Sequence, residues 1–136
     1  MEGPELVLRD DTYYLFFASG RFCQDSYKEG IARSNNVWGP YEKLAVPILS
    51  NGIVGVGTLS NQADTKSHQL DASTSDYAQL VGPGHASILK AESQESENWK
   101  IAYHASVGET CNRVTFVDRL VWGSDGWPFV DMGVDV

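Results

Sequence analysis

No window of eleven or more residues in this chain carries a helical period, and that absence confines the fold to β-structure. What the chain offers instead is short apolar runs between tight turns. Leu6-Val7-Leu8 leads through Arg9-Asp10-Asp11 into Thr12-Tyr13-Tyr14-Leu15-Phe16-Phe17-Ala18-Ser19-Gly20. That is a strand, a charged hairpin turn and an aromatic strand closed by Ser-Gly. Gly30-Ile31-Ala32-Arg33-Ser34 reads as a third strand. Trp38-Gly39-Pro40-Tyr41-Glu42 reads as a turn into a short outer strand ending near Pro47-Ile48-Leu49. Segments of this length and spacing predict a four-stranded antiparallel sheet.

The pattern breaks at residues 51–79. Asn51-Gly52-Ile53-Val54-Gly55-Val56-Gly57 is glycine-rich, and Ser60 to Asp76 is dominated by Ser, Thr, Asp, Gln and Asn, as in a long functional loop or an insertion. Its glycines stand in the wrong order for a phosphate-binding fingerprint, and no Lys-Ser/Thr follows them. The strand pattern then resumes with Gly82-Pro83-Gly84-His85, a turn leading into Ala86-Ser87-Ile88-Leu89-Lys90. A polar turn from Glu92 to Asn98 follows, then Trp99-Lys100-Ile101-Ala102-Tyr103-His104-Ala105, then the run from Arg113 to Trp122. The turn Gly123-Ser124-Asp125-Gly126 leads to Trp127-Pro128-Phe129-Val130. Each half thus opens on a Gly/Pro pair beside a polar residue and continues through strands and turns in the same order. The expectation is one all-β chain, residues 1–136, with blade-like units at 1–50 and 80–136 and a loop or insertion at 51–79. Such units resemble blades of a β-propeller. Two blades do not close a ring that takes roughly four to eight, so the chain reads as part of something larger.

Composition narrows the function. A formal net charge of −8 argues against nucleic acid, whose phosphates demand basic patches, and against anionic membrane surfaces. The acids are scattered, which suits a solvated surface. No run approaches transmembrane length, and no charged segment followed by an apolar one opens the chain. Cys23 and Cys111 form no CxxC and have no histidine at zinc spacing. Whether the fold brings them within bridging distance stays open at this level.

Taken in order, these pieces resemble the C-terminal part of glycoside hydrolase family 43, the five-bladed propellers that include arabinofuranosidases, β-xylosidases and arabinanases. The matching pieces are Glu2-Gly3-Pro4, the Tyr13 to Gly20 strand, Gly30 to Ser34, Gly39-Pro40-Tyr41-Glu42, Gly82-Pro83-Gly84-His85, Trp99 to Ala105, Arg113 to Trp122 and Asp125-Gly126-Trp127-Pro128. The resemblance implies a partial propeller of about two four-stranded antiparallel blades. It also implies an inverting hydrolase of arabinose- or xylose-containing, plant-type polysaccharides or oligosaccharides. In that family one aspartate is the general base, a second tunes pKa, and a glutamate in a Glu-Gly/Ala-Pro motif is the general acid. Glu2 matches the glutamate. Both aspartates belong to earlier blades, so the expectation is a truncated form that carries the acid without the base.

Other residues follow from the same resemblance. His85 matches a histidine near the cavity axis that contacts substrate or, in some members, calcium or its waters. Calcium prefers oxygen ligands, so substrate binding is the favoured role and a metal role the weaker one. Arg113 matches an arginine reaching the sugar and the acid; its rival reading is a surface arginine paired with Glu109. Phe22, just after Gly20, is the choice for a sugar-facing platform. His104 alternates within an apolar strand and reads as a packed core residue, while His68 in the polar stretch has no role. Tyr13, Tyr14, Phe16, Phe17, Trp38, Trp122 and Trp127 read mostly as core between blades. Asp10-Asp11 reads as hairpin chemistry and Asp118 as a local structural contact, neither as a base. No cofactor is expected beyond a structural calcium in the complete family fold. The sequence assigns no compartment; an extracellular setting is an expectation for a full-length protein. Open edge strands predict self-association. Two other classes compete: a non-catalytic sugar-binding fragment retaining Glu2, His85 and Arg113, and a propeller built for protein interaction.

Overall fold

A computed structural model describes residues 1–51, 53–54, 80–91, 98–107 and 110–131. The expected polar loop, including His68, lies outside the described residues apart from Asn51 and Ile53–Val54, and so does Glu109. The polar turn from Glu92 lies outside them too, apart from Asn98. The described residues form strands and no helix. The first sheet contains β1 (Glu2–Arg9), β2 (Thr12–Ser19), β3 (Lys28–Ser34), β4 (Glu42–Lys43), β5 (Leu49–Ser50) and β6 (Ile53–Val54). Its order is β1-β2-β3-β5-β6, with β4 also on β3. The second contains β7 (Leu80–Ala91), β8 (Asn98–Val107), β9 (Arg113–Trp122) and β10 (Pro128–Asp131), ordered β10-β9-β8-β7. Every pairing is antiparallel.

Local chemistry accounts for the first hairpin. Arg9 pairs with Thr12, leaving Asp10 and Asp11 as a two-residue loop with φ of 47° and 58°. Asp tolerates this left-handed region better than most residues, and such turns match the twist of the flanking strands. The expected outer strand, however, is broken. Leu44 and Ile48 still donate their N–H groups to Ile31 and Glu29 of β3, at 2.9 Å each. Between them lies Pro47, which has no N–H to give, so the ladder splits into β4 and β5.

A second difference concerns the Gly82-Pro83-Gly84-His85 segment, expected as a turn. It lies inside β7, with register shifts between Val81 and Gly84 and between Gly84 and Ser87. β1 shifts in the same way between Glu2 and Glu5. Gly3 at φ 55° and His85 at φ 56° place the two bulges against each other. A Cβ on Gly3 would stand 2.7 Å from the His85 ring, so only glycine lets the ring lie there.

Alternation along β8 builds the core: Trp99, Ile101, Tyr103 and Ala105 are buried while Lys100, Ala102 and His104 are less so. Trp99, Ile101 and Tyr103 share one core with Tyr14, Phe16, Ile31 and Leu49 of the first sheet, with Ile48 just before β5, and with Ile88, Leu120 and Val130 of the second. Burying each such side chain stabilises the fold by about 1.5–3 kcal/mol. Trp38, expected in this core, is instead 91% exposed. It sits at a turn where Asn36 Oδ1 accepts its backbone N–H at 3.0 Å, and this turn leaves the ring in solvent.

The sheets are latched at the Asp10-Asp11 end. Tyr14 Oη donates to the Gly126 carbonyl at 2.6 Å and Arg33 Nη1 to the Asp125 carbonyl at 2.9 Å. The Arg33 guanidinium also lies 4.1 Å from the Trp127 ring centre. Asp118 accepts the Tyr103 hydroxyl at 2.8 Å, the local contact its position predicts.

Candidate active site

At the other end of the sheets, the bulges of β1 and β7 bring Glu2 and His85 together. The Glu2 carboxylate accepts the Tyr27 hydroxyl at 2.6 Å, and His85 Nδ1 stands 3.9 Å from the same oxygen. Both side chains are about half exposed. The Tyr27 bond, with the nearby His85, holds the Glu2 carboxyl below its ordinary pKa. Tyr27 is buried, and burial, reinforced by its bond to Glu2, pushes its hydroxyl far upward. It therefore remains a proton donor at any ordinary pH.

His104 continues the cluster. Its register partner is Gly84, beside His85, and its ring stacks on Tyr27 at 6.0 Å and tilts against His85 at 5.7 Å. The expectation of a packed core histidine is corrected here: His104 is on the face of β8 that looks to the site. Burial, then the Arg113 and His85 charges, hold its pKa down. A neutral His104 can accept from Arg113 Nη1, which lies 3.3 Å from its Nε2. The Arg113 guanidinium in turn stands 5.4 Å from the centre of the exposed Phe22 ring. All four residues singled out from sequence thus fall in one neighbourhood: Glu2 beside His85, and Arg113 over Phe22 with His104 between the pairs.

Cys23 and Cys111 are joined by a disulfide, with their Cα atoms 5.3 Å apart, which answers the question their spacing left open. The bond ties the loop after Phe22 to the stretch before Arg113.

Two residues that the sequence reading leaves unnamed, Tyr27 and Glu29, belong to this neighbourhood together with His104. Glu29 is fully buried under the β7 bulge, and its carboxylate accepts the Ala86 N–H at 3.4 Å. Burial drives its pKa up to about 8, against the opposing N–H groups of Ala86 and His85. At neutral pH it is therefore mostly the uncharged acid.

An open hollow of about 200 Å³ lies beside Glu2, walled by Ser19, Gly20, Arg21 and Phe22. Lined by the first sheet and its loop, this hollow is smaller than closed small-molecule pockets of roughly 300–1,000 Å³. With Arg113 over Phe22, this wall can donate and accept protons at Glu2, offer fixed planar donors at Arg113, and stack an apolar ring face at Phe22. The Glu2 carboxylate repels a phosphate, so that set suits a neutral polyol better. A calcium ion does not fit it, since His85 offers nitrogen and Glu2 is the carboxylate beside it, where calcium takes roughly six to eight oxygens. Among the described residues no three His, Cys, Asp or Glu side chains are grouped to hold a metal.

Comparison with known proteins gives a family and a fold. The sequence profile of glycosyl hydrolases family 43 matches residues 1–128. The chain is similar to the non-reducing end alpha-L-arabinofuranosidase BoGH43B of Bacteroides ovatus, 28% identical over 134 residues, covering 95% of this chain and 21% of that protein. It is also similar to a xylan 1,3-beta-xylosidase of a Vibrio species, 44% identical over 41 residues, 30% of this chain and 8% of the relative. Among solved structures, GH43 BlXynB from Bacillus licheniformis superposes with a TM-score of 0.65 and 26% identity over 96% of this chain and 22% of its own. The Cellvibrio cellulosa alpha-L-arabinanase complexed with arabinohexaose gives a TM-score of 0.67 at 22% identity over 96% of this chain and 36% of its own, a likeness of fold alone. The chain thus spans about a fifth of the arabinofuranosidase and about a third of the arabinanase. The fold is part of a five-bladed β-propeller, its two antiparallel sheets standing as two blades.

Proposed function

Because the chain belongs to glycosyl hydrolases family 43, we propose that it carries the general-acid half of an inverting hydrolase acting on arabinose- or xylose-containing polysaccharides. Inversion needs one carboxylic acid to protonate the leaving oxygen while a carboxylate about 6.5–9.5 Å away activates water on the opposite face. Glu2 takes the first role. The base, and the aspartate that tunes the acid, come from earlier blades of the ring. His85 and Arg113 orient sugar hydroxyls, and Phe22 offers an apolar face to a pentose ring. No cofactor enters this reading.

The observation that carries it is the meeting of Glu2 and His85 at 3.9 Å, from segments far apart in sequence. His85 at φ 56° is a costly conformation for a solvated surface group, whereas the two bulges set its ring against Gly3 and beside the Glu2 carboxylate. A general acid must hold a proton, yet the Tyr27 bond keeps Glu2 below its ordinary range. Closing the ring supplies what is needed: a second carboxylate nearby and exclusion of water both raise such a pKa.

That same lowered pKa favours a second reading for these 136 residues alone, namely a non-catalytic carbohydrate-binding surface. One experiment separates them. In a complete ring containing these blades, Glu2→Gln slows release of a sugar or alkyl leaving group by about 10²–10⁴-fold. A dinitrophenyl glycoside, whose leaving group needs no proton, is spared most of that loss. Equal slowing of both substrates removes Glu2 from the acid role. The 136-residue chain by itself turns over neither substrate.

A further inference from the structure

Cys23 directly follows Phe22 in the β2–β3 loop, and Cys111 stands just ahead of Arg113, the first residue of β9. Their bond is a covalent tie between the two sheets in addition to the backbone, and it lies at the end that carries Glu2 and His85. Among the described residues Phe22, Thr110, Cys111, Asn112 and Arg113 are all exposed, and the loop's other ties are polar: Asn51 Nδ2 donates to Asp25 Oδ1 at 2.6 Å and the Tyr27 N–H to the Gln24 carbonyl at 2.9 Å. The Arg113 guanidinium nevertheless stands over the Phe22 ring at 5.4 Å. An exposed cation–π contact is too weak to order two loops against solvent by itself. Cys23 sits at φ 62°, so the loop turns sharply just past the aromatic ring, in a conformation that needs outside support.

Building on the reading above, in which Phe22 and Arg113 meet the sugar, we propose that the Cys23–Cys111 disulfide is a positioning element of the substrate site. It fixes Phe22 beneath Arg113, and through Arg113 it keeps a donor against His104 Nε2. The sugar-facing wall is therefore complete only when the bond is formed. Such bonds persist where thiols are not kept reduced, so the complete wall belongs to an oxidising compartment.

The test uses the 136-residue chain with arabinohexaose as the probe, titrated calorimetrically before and after treatment with a phosphine reductant. The Arg113 side-chain protons are followed by NMR, where the Phe22 ring current shifts them upfield. Reduction is expected to weaken binding about tenfold, the order expected for a cation–π contact that the bound sugar desolvates, together with its ordering, and to erase the ring shift. Backbone signals of β8 and β9 stay in place. Phe22→Ala in the oxidised chain gives the same loss of affinity, and reducing that variant adds nothing. Unchanged affinity with an unchanged ring shift after reduction overturns the proposal, as do losses that multiply. Should reduction unfold the chain, a glycine inserted between Cys111 and Asn112 decides, because it keeps the bond and lengthens the clamp. A ring shift that survives this insertion overturns the proposal. Absence of binding in every state, with the ring shift behaving as expected, sinks the sugar-contacting role given above to Phe22 and Arg113 and leaves the clamp standing.

Discussion

Glu29→Gln should flatten the pH dependence of this fold. The Glu29 carboxyl is fully buried, and its pKa rises from an ordinary 4.5 to about 8. A raised folded pKa means that the folded chain holds a proton which the unfolded chain has already released. The stability this contributes is fully present below pH 4.5 and is lost as pH rises through about 8. At about 1.4 kcal/mol per unit, the swing across that window is about 5 kcal/mol, a large share of a small domain's typical stability of about 5–15 kcal/mol. Glutamine keeps the shape and a carbonyl for the Ala86 N–H but does not titrate. Urea denaturation followed by tryptophan fluorescence at pH 5, 7 and 9 measures the effect. The variant should gain several kcal/mol on the parent chain between the acid and alkaline ends. A parent–variant difference that stays constant across the window would refute a carboxyl kept neutral by burial.

Two further outcomes follow from the packing and the site. Ile101→Ala removes a fully buried side chain from the core between the sheets and should cost about 2–5 kcal/mol, read from the same denaturation curves; a loss below 1 kcal/mol would mean that the neighbouring residues collapse into the space. Tyr27→Phe takes away the bond that does most to hold Glu2 low, so the Glu2 carboxyl should titrate nearer its ordinary range. Carbon-detected NMR of the side-chain carboxyl measures this, and an unmoved midpoint rejects the bond as the cause. In the parent chain the Tyr27 bond to ionised Glu2 supports the fold above the ordinary glutamate range, and that support fades as pH falls through the lowered value.

How much could be read in advance depends on the range of the forces involved. The Asp10-Asp11 hairpin and the alternation of β8 are local, and they were legible because turn chemistry and period-two patterning act over a few residues. The likeness of the Glu2-Gly3-Pro4 and Gly82-Pro83-Gly84-His85 segments marked both as special, but spacing alone gives no sign that the His85 ring lies on Gly3. That contact depends on two bulges and on the way one sheet meets the other. Tyr27, Glu29 and His104 escaped for related reasons. His104 shares a face with Lys100 and Ala102 rather than with Trp99 and Ile101, a pattern that could have set it apart from the core. Glu29, a carboxyl directly before Gly30-Ile31-Ala32, was a charge in a buried run and could have been flagged by that mismatch. Trp38 was misplaced because hydrophobicity says what a side chain favours, while its turn, set by Asn36, dictated where it points.

The two ends of this pair of sheets are fastened differently. Tyr14 and Arg33 hold one margin with bonds that break and re-form, whereas Cys23 and Cys111 hold the other with a bond that heat alone does not undo. Thermal breathing therefore opens the molecule like a book, its far margin parting first. The carboxylate and imidazoles sit along the spine, the last line of the volume to come apart.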